Sequence, residues 1–232
     1  MQLLLAIGLL IFSYLAGSTP FGLIIVRLKS GKDIRQVESG RTGGTNAMRA
    51  AGRLAGASTA VLDFLKGAVG VWLAQWLMPD AFLLHGLAAI VAVVGHNYSV
   101  FLAERNEKGR LRLRGGAGGA TAAGGAFGLW APSLVFVVPV GLILLLGVGY
   151  ASLATMSIGI TALLIFIIRW WTGSSPWQYI LYGVLVEALL LWALRPNIQR
   201  LLNGTERLVG WRARRRKQTA TITPNHSSSS SS

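Results

Sequence analysis

The run LLLAIGLLIFSYLAGSTPFGLIIV, residues 3–26, followed at once by the basic stretch RLKSGKDIR, residues 27–35, decides the fold. An apolar run of this length exceeds the roughly 20 helical residues that cross a hydrocarbon core of about 30 Å. No lysine or arginine precedes it, and apolar residues continue past the Gly17-Ser18-Thr19-Pro20 break. It therefore reads as a membrane-spanning helix and not as a cleaved leader. The cations behind it mark the side of the membrane on which it stops.

The rest of the chain repeats this pattern. Of its 232 residues 53% are hydrophobic and only 13% charged, and mean hydropathy is +0.54, which together predict an all-α polytopic membrane protein. A net charge of +14 would suit nucleic acid if it were spread out. Instead every Lys and Arg except Arg169 falls within residues 27–66, 105–114 or 195–217. The positive-inside rule puts those three segments in the cytoplasm, leaving the lipid bilayer as the partner and excluding a nucleic-acid binder. Each pair of inside segments must be joined by an even number of crossings. Residues 3–26 cross inward, 55–77 outward and 81–103 inward again; the stretch 115–194 divides at Pro132, Tyr150-Ala151-Ser152 and Gly173-Ser174-Ser175-Pro176 into four short segments. Seven transmembrane helices are expected, with the N-terminus outside and the C-terminus cytoplasmic. The piece 119–131, short and rich in Gly and Ala, fits a re-entrant segment as well as a spanning one. Gly52 with Gly56, and Gly115 with Gly119, have the four-residue spacing that suits close helix contact. Residues 1–210 are read as one membrane domain and 211–232 as a basic, then Ser-rich, disordered tail. Cysteine is absent and three histidines are scattered, so thiolate catalysis and disulfides are excluded and neither metal nor cofactor is expected.

Between the first two spans lies Ser39-Gly40-Arg41-Thr42-Gly43-Gly44-Thr45-Asn46-Ala47-Met48-Arg49. Glycines let backbone N–H groups approach a ligand, Ser39, Thr42 and Thr45 offer hydroxyls, and Arg49 offers a planar fork suited to phosphate. The loop is read as an anion cradle; a solvated turn with ordinary interfacial arginines is the bland alternative. Asp63 and Lys66, one helical turn apart, are read as a structural ion pair. His96 serves as a base or simply bonds a neighbouring helix. The alternating Arg and Leu of residues 110–114 fit a small hairpin or an interfacial strand, with attraction to anionic lipid heads as the bland alternative, and Gly115, Gly116 and Gly118 running into an apolar helix offer a second phosphate cradle, with Arg114 beside it. Residues 195–207 are expected to leave the last span as a short amphipathic helix. Asn197 and Glu206 are candidates there, although capping and surface roles explain them equally well.

These segments together carry a family resemblance. Gly17-Ser18-Thr19-Pro20-Phe21-Gly22, Gly31-Lys32-Asp33-Ile34-Arg35, Ser39-Gly40 through Thr45-Asn46 with Arg49, Asp63-Phe64-Leu65-Lys66-Gly67, Gly95-His96 with Val100-Phe101-Leu102, Gly115-Gly116 with Gly118, Tyr150-Ala151-Ser152-Leu153, and Asn197-Ile198-Gln199-Arg200-Leu201 with Gly204-Thr205-Glu206 follow one another in order. The series resembles the bacterial acyl-phosphate:glycerol-3-phosphate acyltransferases of the PlsY type over almost all of the chain to about residue 210. The resemblance implies a seven-span enzyme of the bacterial inner membrane, its site facing the cytoplasm. It implies transfer of an acyl chain from acyl phosphate to the 1-hydroxyl of glycerol 3-phosphate, giving lysophosphatidic acid and phosphate in phospholipid biosynthesis. By the same match Ser39, Gly40, Thr45 and Arg49 hold a substrate phosphate, Asn46 shapes their loop, Ser152 and Asn197 act at the reacting end, and Glu206 is carried over with no assigned role. His96, Gly115 and Gly116, together with Arg41 and Arg114 outside the match, are further supporting candidates.

The chain also departs from the pattern. Arg41 stands where the family has asparagine, Ala117 where it has lysine and Leu194 where it has histidine, and the loop before Gly115 carries roughly eight extra residues. Arg41, Arg112, Arg114 and Arg195 are the candidates to restore the missing positive charge. Two other functions stay open on sequence grounds: a catalytically altered relative that binds a phosphate-bearing lipid or metabolite as a sensor, and a small anion transporter.

Overall fold

Nine α-helices and one β-hairpin were identified among residues 1–105, 107–213 and 215, the residues that the computed structural model describes. The opening apolar run forms α1 (Gln2–Ser18) and α2 (Phe21–Ser30), broken where Pro20 removes a backbone donor. Gly31 ends α2 in the left-handed conformation, φ 68°, that favours glycine. After a short turn come α3 (Gly44–Ala51) and α4 (Arg53–Leu77), hinged at Gly52 with φ 90°. A Cβ on Gly52 would meet open space, so this residue is a hinge and not the helix contact expected from its spacing, whereas Gly56 does pack on Met48.

The third crossing is shorter than its sequence implied. Helix α5 (Phe82–Asn97) stops before Tyr98, and residues 99–103, read as the end of that span, form instead the start of β1 (Ser99–Arg105), antiparallel to β2 (Leu111–Arg114). Val100 and Phe101 have strand propensity, and the Ser99 hydroxyl donates to the Ser18 carbonyl at 2.5 Å, fixing the exit from the helix. The predicted hairpin is therefore present, and longer than residues 110–114 alone suggested.

Helix α6 (Gly119–Leu129) has 11 residues, about 16 Å of helix, or half the hydrocarbon thickness. Its residues are almost all buried. It lies against α4 so closely that a Cβ on Gly124 would stand 1.8 Å from the Phe64 carbonyl oxygen. Small side chains let the two backbones touch where lipid offers no hydrophobic drive to bring helices together. Helix α7 (Leu134–Ile143) passes through a π turn, Leu144–Val148, into α8 (Ala151–Trp171), and α9 (Gln178–Leu202) returns. Among the described residues five segments are long and apolar enough to cross a membrane: Gln2–Ser30, Arg53–Leu77, Ala131–Val148, Ala151–Trp171 and Gln178–Leu202. The apolar α5, at 16 residues, and α6 are shorter.

The core sits where α4, α5, α6, α8 and α9 meet, around Val71, Val93, Ala122, Ala126, Phe166 and Tyr182. Phe166 presents its ring edge-on to Tyr179 and Tyr182, with centroids 5.6 and 5.9 Å away. The Tyr182 hydroxyl donates to the Ala122 carbonyl, so this large side chain leaves no buried donor unpaired.

Pro196 does not end the last helix, contrary to the separate amphipathic helix expected after residue 194. It removes a donor from the Trp192 carbonyl, but Arg195 replaces it, donating from NH1 at 3.1 Å and covering the Trp192 ring at 4.3 Å. Helix α9 thus carries Asn197 and Arg200 as a rigid extension. Beyond it the chain returns to the α7–α8 corner: Val209 donates to Gly149 O at 2.8 Å, Leu208 bridges Tyr150, and Trp211 Nε1 donates to Leu146 O at 2.9 Å. Trp211 and Arg212 were read as the start of the tail; residues from 216 on lie outside the described residues.

Candidate functional site

The loop after α2 is shaped by one amide. Asn46, 3% exposed, directs Nδ2 at three carbonyls, Ile34 at 3.1 Å and Val37 and Arg41 at 2.9 Å each. Two hydrogens shared among three acceptors gather residues 34–41 into one bend. Glu38 with φ 47° and Gly40 with φ 67° turn the chain sharply, and the Gly40 N–H donates to Val37 O at 2.9 Å. Ser39 stays exposed, its hydroxyl accepting from the Arg41 N–H at 3.4 Å, and Thr45 lies in the first turn of α3.

A second segment braces this loop from beneath. Thr42 N–H points to Gly115 O at 3.5 Å, and Gly116 N–H donates to His96 O at 3.0 Å. The glycines are required by contact: a Cβ on Gly116 would lie 2.0 Å from His96 Nε2, and one on Gly115 2.0 Å from His96 O. His96 in turn has Nδ1 3.6 Å from Asp63 Oδ1, and Lys66 bonds Asp63 at 2.8 Å and the Thr19 carbonyl at 2.7 Å. The expected Asp63–Lys66 pair is therefore present, buried, and tied through His96 to the glycine segment.

On the other side Ser152, at the start of α8, and Asn197, near the end of α9, meet through Glu206. Glu206 Oε1 accepts from Asn197 Nδ2 at 2.8 Å and from the Ser152 hydroxyl at 3.5 Å; its Oε2 accepts from Arg200 Nε at 2.9 Å. Glu206 is 6% exposed, and Asn197 Oδ1 is buried with no partner among the described residues. Arg41 reaches across to donate to Ala193 O at 2.5 Å. Burial pushes the Arg41 guanidinium below its ordinary pKa, aided by Arg200 and Arg195 and opposed by Glu206. Burial likewise lowers Arg49, opposed first by Glu38. Arginine keeps its charge through such shifts, so both remain cations held partly out of water.

Arg114 is placed elsewhere. Its Nε pairs with Glu104 at 3.0 Å, and Glu104 also takes Arg35 at 2.6 Å, which is bound to Asp33. These ions hold the hairpin against the turn Ile34–Gln36, and a cleft of about 410 Å³ on the hairpin includes Arg114 but none of the loop residues. Sequence reasoning overlooked Arg200, Arg207 and Glu38. Arg207 pairs with Glu38 at 3.0 Å and so ties the loop to the C-terminal segment. Arg200 had a readable signal, since it lies three residues after Asn197 and shares its helix face; the Glu38–Arg207 pairing had none.

A bent, glycine-rich loop with a half-buried arginine, facing a serine, an asparagine and a glutamate, can bind an anion beside a polar reacting group. Residues 7–204 match the family described as glycerol-3-phosphate acyltransferase. The chain belongs to that family. Among similar acyltransferases, the glycerol-3-phosphate acyltransferase of Rubrobacter xylanophilus is 37% identical over 210 residues, covering 90% of this chain and 98% of the relative. That of Thermus thermophilus is 36% identical over 211 residues, covering 91% and 98%. The crystal structure of PlsY, an integral membrane glycerol 3-phosphate acyltransferase, in its glycerol 3-phosphate form superposes with a TM-score of 0.76 at 32% identity, covering 94% of this chain and 99% of that one. Its lysophosphatidic acid form gives 0.75 at 33%, covering 88% and 95%. This glycerol-3-phosphate acyltransferase family member is thus a multi-pass membrane protein built on the PlsY fold.

Proposed function

We propose that the protein transfers an acyl chain from acyl phosphate to the 1-hydroxyl of glycerol 3-phosphate, on the cytoplasmic face of a bacterial inner membrane with its N-terminus outside. The observation that carries this reading is the meeting of the Arg49 loop with Ser152, Asn197 and Glu206, two polar groups drawn from opposite ends of the chain and joined by Glu38 and Arg207. Ser39, Gly40, Thr45 and Arg49 hold the phosphate of glycerol 3-phosphate on the bend that Asn46 shapes. Gly115, Gly116 and His96 support that bend from below. Asn197 Oδ1 accepts a hydrogen bond from the substrate hydroxyl, and Ser152 donates to the acyl carbonyl oxygen as it gains charge. The hydroxyl oxygen bonds to the acyl carbon, the bond from that carbon to the phosphate oxygen breaks, and the hydroxyl proton leaves with the phosphate. Acyl phosphate is already activated, so positioning and charge stabilisation suffice without a covalent nucleophile.

A binding-only relative is the second reading, favoured by one observation: Ala117 and Leu194 carry no polar group, and Leu194 is 2% exposed. The detergent-purified protein, given palmitoyl phosphate and glycerol 3-phosphate, separates the two. Phosphate release above a boiled control is expected; retained glycerol 3-phosphate binding without release leaves only the sensor. Arg49→Ala should abolish glycerol 3-phosphate binding in either case, and Ser152→Ala should reduce turnover alone.

A further inference from the structure

Two anionic substrates enter the proposed reaction, and the site holds two groups of cations. One is Arg49 with Arg207, the latter paired with Glu38. The other lies along α9. Ala193, Asn197 and Arg200 recur at the four- and three-residue spacing that puts them on one helix face, Ala193 about 6 Å along the axis from Asn197. Arg41 is anchored to that face by its bond to Ala193 O at 2.5 Å. Both oxygens of Glu206 are already taken, one by Asn197 and Ser152 and the other by Arg200. Among the described residues no carboxylate pairs with Arg41. Of the arginines able to add charge to this site, Arg112 and Arg114 lie on the hairpin, cross-strand from or bonded to Glu104, and Arg195 is turned back on its own helix against Trp192. Arg41 alone among these four crosses from the loop to α9.

We propose that Arg41 receives the phosphoryl group of the acyl donor, and the phosphate that departs from it, one helical turn from Asn197 and apart from the Arg49 position that takes glycerol 3-phosphate. The inference rests on the function proposed above. A guanidinium has five N–H donors, so the bond to Ala193 leaves others for phosphoryl oxygens while fixing the plane of the fork. As the acyl carbon leaves, negative charge grows on the phosphate beside a cation already in place. Arg41 is then a residue that selects a donor whose leaving group is inorganic phosphate.

Steady-state kinetics with palmitoyl phosphate and glycerol 3-phosphate test this in Arg41→Gln and Arg41→Lys, with Arg49→Gln as counterpart. Arg41→Gln should raise KM for palmitoyl phosphate about tenfold or more, the scale of one lost charge-assisted hydrogen bond. It should leave KM for glycerol 3-phosphate nearly unchanged and weaken inhibition by inorganic phosphate; Arg49→Gln should do the reverse, and Arg41→Lys should recover part of the loss. A rise confined to the glycerol 3-phosphate KM of Arg41→Gln, or inorganic phosphate inhibition as strong as in the parent, overturns the proposal. Should Arg41→Gln unfold, the same comparison is read on Arg41→Lys, whose ammonium cannot make the planar two-point contact. Should the parent protein release no phosphate at all, the function falls while Arg41 is still tested by calorimetric titration with inorganic phosphate. Binding lost in the Arg41 variant then supports the cation site, and equal binding refutes it.

Discussion

Asn46→Leu separates a shaped loop from a merely flexible one. Asn46 is 3% exposed, and its amide faces three carbonyls at 2.9–3.1 Å with only two hydrogens to give. Leucine nearly conserves the volume but strands the Arg41 carbonyl, while Ile34 O keeps the Val37 N–H and Val37 O keeps the Gly40 N–H. For one buried acceptor left unpaired the loss is about 1–3 kcal/mol. The protein can absorb it in two ways. If the bend stays packed, the whole loss appears as a lower thermal midpoint in detergent. If the bend opens and lets water reach the carbonyl, stability is spared and the substrate must reorder the loop on binding. Even at the lower limit that reordering reduces kcat/KM for glycerol 3-phosphate about fivefold, since about 1.4 kcal/mol is a factor of ten. The assay therefore pairs a melting curve with initial rates across a glycerol 3-phosphate titration. An Asn46→Leu protein with both midpoint and KM unchanged would refute the claim that this amide holds the loop.

Further outcomes follow from the buried ions and the C-terminal clamp. Lys66→Met leaves Asp63, 1% exposed, without its partner and should cost about 3–5 kcal/mol in thermal unfolding, most of it recovered in the Asp63→Asn, Lys66→Met double variant; a double variant as unstable as the single would show the two residues uncoupled. Glu206→Ala releases Asn197 and should lower kcat about a hundredfold, the scale of a misplacement by about 1 Å, and an unchanged kcat would remove Glu206 from the positioning of Asn197. The Arg35 guanidinium bonded to Asp33 holds its carboxyl down at about 2 from 3.8. Because the folded value is the lower one, this stabilisation is present above pH 3.8 and fades as pH falls toward 2. Asp33→Asn should therefore melt earlier than the parent near neutrality, by about 1 kcal/mol once solvent screening is allowed for, and match it near pH 2; a gap that persists in acid contradicts the assignment.

The bend at residues 39–43, the hairpin and the Asp63–Lys66 pair were legible in sequence because each is local: glycine spacing, strand alternation and a one-turn charge pair are patterns within a few residues. The second half of the expected loop was not, for Thr45, Asn46 and Arg49 stand on the helix Gly44–Ala51. The end of α5 was not, because apolar residues 99–103 serve a strand as well as a lipid-facing helix, and only pairing with β2 decides between them. The end of the last span lay further on than expected for a related reason. A proline announces a helix end until another donor takes the orphaned carbonyl, and that donor is the neighbouring Arg195. The approach of Arg41 to α9 and of Glu206 to Ser152 joins residues 152 and 54 positions apart, a separation at which no periodicity survives.

The return of the C-terminal segment to Gly149 and Tyr150 sets an order of assembly during synthesis. The loop at residues 39–49 is made early, but Glu206 is added only after α9 is complete, and Val209 must then find a corner laid down some sixty positions before it. A chain arrested within α9 carries Arg49 but lacks the carboxylate that aligns Asn197 with Ser152. On the proposed function, nascent chains acquire anion affinity before turnover, and acyl transfer waits until the last helix has been inserted and its trailing residues have closed on the π turn.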